Sequence, residues 1–118
     1  MIYLAVLVRR LKPGKSYQDF LEVWYPDKGF GWKGRGPLIA RNVADPREIL
    51  TYAEFELADG ADLDVELARI ATQEAIRHER IGAVIEETTL RGIYEMTDSF
   101  DFSTDESVAT GKPSTLRT

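Results

Sequence analysis

At 118 residues and 43% hydrophobic content, the chain has the size of one domain with a modest core. Its net charge of −5 and pI near 4.9 argue against a general binder of nucleic acid or of an anionic membrane, since both need clustered Lys and Arg. The absence of cysteine excludes disulfides, a thiolate nucleophile and a Cys-based zinc site, and a single histidine is too few for a protein-only zinc site, so no metal is expected.

Ile2 to Leu11 is apolar at nearly every position and rich in Val, Leu and Ile, as in a strand covered on both faces. Its basic residues, Arg9 and Arg10, follow the apolar run and no A-x-A-like site comes after. It is therefore not read as a signal peptide, and a cytoplasmic protein is the expectation. No run approaches the ~18 to 20 apolar residues that span a bilayer. Lys12-Pro13-Gly14-Lys15 is a turn, after which Ser16 fits an N-cap with Asp19 in the first helical turn. Tyr17, Phe20, Leu21 and Trp24 recur at i, i+3, i+4, i+7, which predicts a short amphipathic helix stopped by Pro26.

Pro26 to Pro37 interleaves Gly29, Gly31, Gly34 and Gly36 with Phe30, Trp32, Lys33 and Arg35. It does not fit a phosphate loop, for G-x-x-x-x-G-K-[ST] is missing. Two readings stand: a lid whose aromatics cover an apolar pocket while Arg35 or Lys33 holds a substrate anion, or a long connector whose Phe30 and Trp32 plug the end of the barrel or meet a partner subunit. A strand over Leu38 to Val43, a turn at Ala44-Asp45-Pro46-Arg47 and a strand over Glu48 to Leu57 make a hairpin. In the second strand Ile49, Thr51, Ala53, Phe55 and Leu57 share one face, and Leu50, Tyr52, Glu54 and Glu56 the other. Arg41 and Glu54 are expected to pair across it.

A long helix follows, begun by Asp59 or Asp62, with Leu63, Leu67, Ile70 and Ala71 on one stripe and Ile81 and Ile85 in phase unless Gly82 breaks it. At roughly 100° per residue, Glu74 and His78, the one histidine, fall on that same face. A carboxylate and an imidazole aimed at a core are costly unless they serve each other or a ligand. The functional reading makes His78 a general base whose tautomer Glu74 fixes. The alternative is an exposed i,i+4 pair on a helix end that lifts from the core, since Glu79 and Arg80 come next. Thr88 to Thr97 is the last strand. The domain is expected over residues 1–98, with 99–118 a polar, mobile tail whose Phe100 and Phe102 could pin it to the body or a partner.

The order β-α-β-β-α-β predicts an α+β, ferredoxin-like fold, an antiparallel sheet with both helices on one face. Strand one is apolar on both sides, so the open face is expected to be buried against a second copy in a homodimer. An RNA-binding reading of Ile2-Tyr3-Leu4 and Tyr52-Ala53-Glu54-Phe55 fails, because Leu50 and Thr51 stand where a basic residue and glycine belong.

The element order and the opening IYLAVLVRRLKPGKSYQDFLEVW resemble the dimeric α+β barrel superfamily, which includes the antibiotic-biosynthesis monooxygenases, EthD-like proteins and stress-responsive barrel proteins. The strand, basic-Pro-Gly turn and helix carrying Phe20, Leu21 and Trp24 are nearest the EthD-like pattern. The resemblance implies two sheets facing each other across a dimer, with a pocket between each sheet and its helices, into which Glu74 and His78 would look. It also implies oxygenases that work without metal or flavin on substrates forming a reactive carbanion. A haem-degrading branch uses a helix-two His with an Asn and a Trp. Here the first strand has no Asn and the second helix no Trp, so that activity does not fit, while haem binding stays open.

The expected function is thus an enzyme on a small aromatic or polyketide-like molecule, a cofactor-free monooxygenase or a proton-transfer enzyme. His78 and Glu74 are its catalytic candidates; Trp24, Phe30, Trp32, Arg35 and Tyr52 its substrate-binding ones. The alternatives are a non-catalytic binder of haem or another hydrophobic ligand, and a structural or stress-associated dimer.

Overall fold

The computed structural model describes residues 1–26 and 29–105. The elements run β1 (Ile2–Leu11), α1 (Tyr17–Trp24), β2 (Leu38–Asn42), β3 (Asp45–Glu56), α2 (Leu63–Gly82) and β4 (Ile85–Glu95), in the expected order. The sheet is antiparallel with order β2-β3-β1-β4, so the apolar β1 sits inside it. Both helices cover one face: Phe20 and Trp24 of α1 and Ile81 of α2 form one buried cluster with Leu11, Ile49 and Val84. Burying side chains such as Phe20, Ile49 and Ile81 stabilises the fold by roughly 1.5–3 kcal/mol each.

Local chemistry sets the element ends. Ser16 caps α1 in a reciprocal box: the Asp19 N–H donates to Ser16 Oγ at 3.1 Å, and the Ser16 N–H donates to Asp19 Oδ2 at 2.8 Å. The Asp62 carboxylate caps α2 by accepting from the Asp64 and Val65 amides. The α2 end does not lift away. Arg80 Nε donates to Val23 O at 3.0 Å, and Arg77 Nε donates to Trp24 O, satisfying carbonyls that the end of α1 leaves open.

Several boundaries differ from the sequence reading. The hairpin turn is Val43-Ala44, not the Asp-Pro pair, because the Asn42 side chain accepts from the Ala44 N–H at 2.8 Å and closes a two-residue turn. Pro46 is tolerated inside β3 because pairing with β1 reaches only to Arg10–Glu48. Gly82 does end α2, yet Ile81 stays in the core, and β4 begins at Ile85 because Lys12 N–H bonds Val84 O and draws the chain straight into the sheet. Phe100 and Phe102 stack on each other at 6.2 Å and are exposed. The rest of the expected tail, 106–118, lies outside the described residues. Among the described residues no helix is long and apolar enough to cross a membrane.

Candidate functional site

Alternation along β1 turns Ala5, Leu7 and Arg9 toward the helices and Leu4, Val6 and Val8 away from them. α2 lies over the first set, and the two elements do not close fully. A cleft of about 630 Å³ remains between them. Leu67, Ile70, Ala71 and Ala75 of α2 form one wall, and Ala5, Leu7 and Ile93 of the sheet form the other. Small alanines on both walls leave the space.

The segment after α1 closes one end. Trp32 stacks on Phe55 at 4.4 Å, and Phe30 meets Trp32 edge-on at 5.7 Å; Phe30 and Trp32 both line the cleft. α2 latches this segment. Arg69 donates to Phe30 O at 2.7 Å and lies over the Trp32 ring, while Trp32 Nε1 donates to Glu66 at 3.4 Å. Further on, Glu54 N–H bonds Arg35 O and Glu56 N–H bonds Lys33 O, so the segment continues the edge beside β3. That approach explains Gly34, where a Cβ would sit 1.8 Å from Glu54 O.

Glu74 and His78 lie in the cleft wall, together with Arg91 from β4. His78 Nε2 is 3.1 Å from Glu74 Oε2, and Arg77 Nη1 is 3.2 Å from both oxygens of the same carboxylate. Burial alone would raise the Glu74 pKa. The hydrogen bond from His78 and the Arg77 charge outweigh it and hold the carboxyl below its ordinary value. With Glu74 ionised, the Nε2–H tautomer is favoured, and Nδ1 is the basic nitrogen of the neutral ring. No group of three or more His, Cys, Asp or Glu among the described residues could hold a metal ion.

Behind the pair lies a second charged group. Arg9 is 2% exposed; its Nη1 contacts Thr51 Oγ1 at 3.4 Å and its Nη2 has no hydrogen-bond partner. Desolvation, then the charges of Arg77 and Arg91, push its pKa down to about 10, against a smaller upward pull from Glu74; at neutral pH it is still a cation.

The structure thus brings His78, Glu74, Phe30 and Trp32 together in one cleft and places the other three candidates elsewhere. Trp24 is core, 7% exposed, beneath the Arg77 guanidinium at 5.0 Å. Tyr52 faces away from the helices, opposite Val6 and Leu38. Arg35 is held on that outer side by Glu54, 2.8 Å from Nη2, rather than in the cleft. Arg41 does not meet Glu54: it stands opposite Ile49 and lies over the Tyr17 ring at 5.2 Å. Arg9, Arg77 and Arg91 carry the site's positive charge and were not singled out by sequence. The available signal was Arg9 itself, an arginine in phase with Ala5, Leu7 and Leu11 on the core side of a strand.

No protein-family model matches the sequence, and no curated protein matches it. Two solved structures do resemble it, both from proteins whose names provisionally assign them to antibiotic biosynthesis monooxygenases. One, from Chloroflexus aurantiacus J-10-fl, superposes with a TM-score of 0.57 at 14% identity, covering 86% of this chain and 98% of its own. The other, from Bordetella bronchiseptica, has a TM-score of 0.51 at 13% identity, covering 81% and 97%. The four-stranded antiparallel sheet with two helices on one face is the fold shared with these two proteins. At these identities the likeness speaks to the fold alone, and any chemistry rests on the residues of this cleft.

Proposed function

We propose that the chain is a small-molecule enzyme that removes a proton from an aromatic or polyketide-like substrate held in the cleft, in the manner of a cofactor-free monooxygenase. The observation that carries this reading is that the one His–carboxylate pair lines a cavity whose other walls are mostly apolar. His78 takes the proton of an acidic C–H or O–H on its free ring nitrogen, leaving the electron pair on the substrate. Glu74 fixes the tautomer and stabilises the imidazolium that forms. The substrate anion then bonds to dioxygen, the oxidant; one oxygen stays on the carbon as a new carbonyl, the O–O bond breaks, and the other oxygen leaves as water with the two protons the carbon gives up, while the apolar walls keep bulk water from re-protonating the anion. The names of the structural neighbours favour oxygenation over simple isomerisation. The test is dioxygen uptake and solvent-deuterium exchange with a panel of enolisable aromatic ketones and phenols. Turnover that His78→Ala lowers by at least about a hundredfold, within the usual range for a general base, supports the reading. Turnover equal in wild type and His78→Ala sinks it.

The proposal includes a homodimer. Leu38, Leu90 and Tyr94 are exposed on the sheet face away from the helices, beside half-buried Leu4, Val6, Val8 and Tyr52. A second sheet laid on that face would cover them.

A non-catalytic binder is the second reading, favoured by the size of the cleft. For haem in that role, iron would have to be ligated by Nδ1 of His78, the nitrogen that Glu74 leaves open and that the base role also needs, so haem binding and the base role exclude each other and no step here is routed through haem.

A further inference from the structure

Within the cleft, polarity is ordered along β1. The aromatic end is fixed by Trp32 on Phe55, and Phe55 stands opposite Tyr3. Arg91 stands opposite Leu7, four residues and so about 13 Å further along the strand. Arg9 follows Leu7 on the same face, deeper again, and Glu74 and His78 lie above on α2. One end of the space is therefore apolar and the other charged.

The charge at that end does not balance. Glu74 is the one carboxylate in the cleft wall, and Arg77 and His78 already engage it. Arg91 makes no hydrogen bond or ion pair with any other described residue, and Arg9 has no carboxylate partner and an open buried donor. Arg9 is buried and raises the potential at this end from behind the wall, whereas Arg91 is exposed and its guanidinium is free to meet an anion entering the cleft. A protein carrying −5 overall nonetheless keeps two arginines here, one buried and one exposed, with no ion pair to another described residue.

Resting on the enzyme reading above, we infer that the substrate is an amphiphile with an aromatic body and one anionic group, a carboxylate or an acidic enol or phenol oxygen. The body lies against Phe30 and Trp32. The anion sits against Arg91 beside His78, with the charge of Arg9 behind it. A guanidinium suits such an oxygen because its donors form a planar fork. Arg9 is a positioning residue: fully buried, it sets the potential at the charged end without touching the ligand.

The inference is tested by binding, independently of turnover. Titration of wild-type protein with 2-naphthoate and with its neutral isostere 2-naphthamide, followed by Trp32 fluorescence and calorimetry, should show naphthoate binding about ten- to a hundredfold tighter, the worth of one charge-assisted contact. Arg91→Gln should abolish that preference while leaving naphthamide affinity unchanged. Lys12→Gln, the same loss of charge in an exposed turn, should keep it. Equal affinity of the two ligands, or a preference that survives Arg91→Gln, overturns the anionic substrate but leaves the apolar cleft and the His78 reading standing. Binding of neither ligand up to millimolar concentration, with the ring signals of His78 unmoved in proton NMR, removes both. Arg9→Gln is a secondary variant: where it folds, the naphthoate preference should fall. Where it does not, Arg91→Gln still decides.

Discussion

Arg77 is the residue whose loss should cost the fold most among the charged groups around the cleft. It is 8% exposed and reaches three partners at once: the Trp24 carbonyl, the Glu74 carboxylate and the Trp24 ring. Arg77→Met keeps the length and apolar stem and deletes the guanidinium. A hydrogen bond from a charged donor to a buried carbonyl is worth about 1.5–3 kcal/mol, and the cation–π contact about 0.5–1 kcal/mol. The pair with Glu74 adds less, because that carboxylate keeps His78 and some solvent contact. Against these stands a gain, since the substitution removes a buried charge whose neighbour, Arg9, repels it. The balance is a loss of about 2–3 kcal/mol, which for a domain of this size lowers Tm by roughly 8–20 °C. Urea unfolding followed by circular dichroism measures it directly. Arg77→Lys should recover less than half, because an ammonium cannot span the carbonyl and the carboxylate together. A loss below about 0.5 kcal/mol for Arg77→Met, within the usual range of a surface substitution, would refute the claim that Arg77 bolts α2 to the end of α1.

Other substitutions probe separate parts of the structure. Gly34→Ala places a Cβ 1.8 Å from the Glu54 carbonyl oxygen at φ +148, and should destabilise by about 3 kcal/mol or more in the same urea assay. Because the folded state holds the Glu74 carboxyl below its ordinary pKa of 4.5, its contribution is complete at neutral pH and is lost as pH falls through the acid range. Unfolding measured over a pH series should accordingly show a shallower acid limb in Glu74→Gln than in wild type. Trp32→Ala removes a half-buried ring from Phe55 and one end of the cleft. It should cost about 1–3 kcal/mol and weaken aromatic ligands, as read by thermal melts and calorimetry. Val6→Glu, on the outer sheet face, should turn a homodimer into a monomer in sedimentation velocity; a wild type that is already monomeric at micromolar concentration would count against the homodimer.

What was legible in the sequence was whatever a short stretch decides for itself. Ser16 and Asp19 make their capping box within four residues, Asp62 caps its own helix, and the doubly apolar β1 could only be an inner strand. The hairpin turn was misplaced because Asp45-Pro46 is a stronger turn signal than Val43-Ala44 in isolation. The side chain of Asn42 settled it, and that preference shows only once the register is known. Glu86 and Glu87 disguised the start of β4, since two acidic residues after a glycine resemble a loop more than a strand.

The site was less legible for a related reason. Period-two alternation had already put Tyr52 on the face opposite Ile49 and Phe55, which are core. Taking it as a pocket wall set its aromatic character above its phase. Arg35 went astray in the same way: a basic residue in a glycine-rich loop invites an anion, but the loop runs along β3 and delivers that side chain to Glu54 on the outer face. The arginines that do matter, Arg9, Arg77 and Arg91, come from β1, α2 and β4. Nothing in one segment announces that they converge, because a charge becomes functional through the partner it lacks in three dimensions. Arg77 finds carbonyls and Glu74 and is thereby structural. Arg91 finds no such partner among the described residues, and it lines the cleft in which the proposed anion would sit.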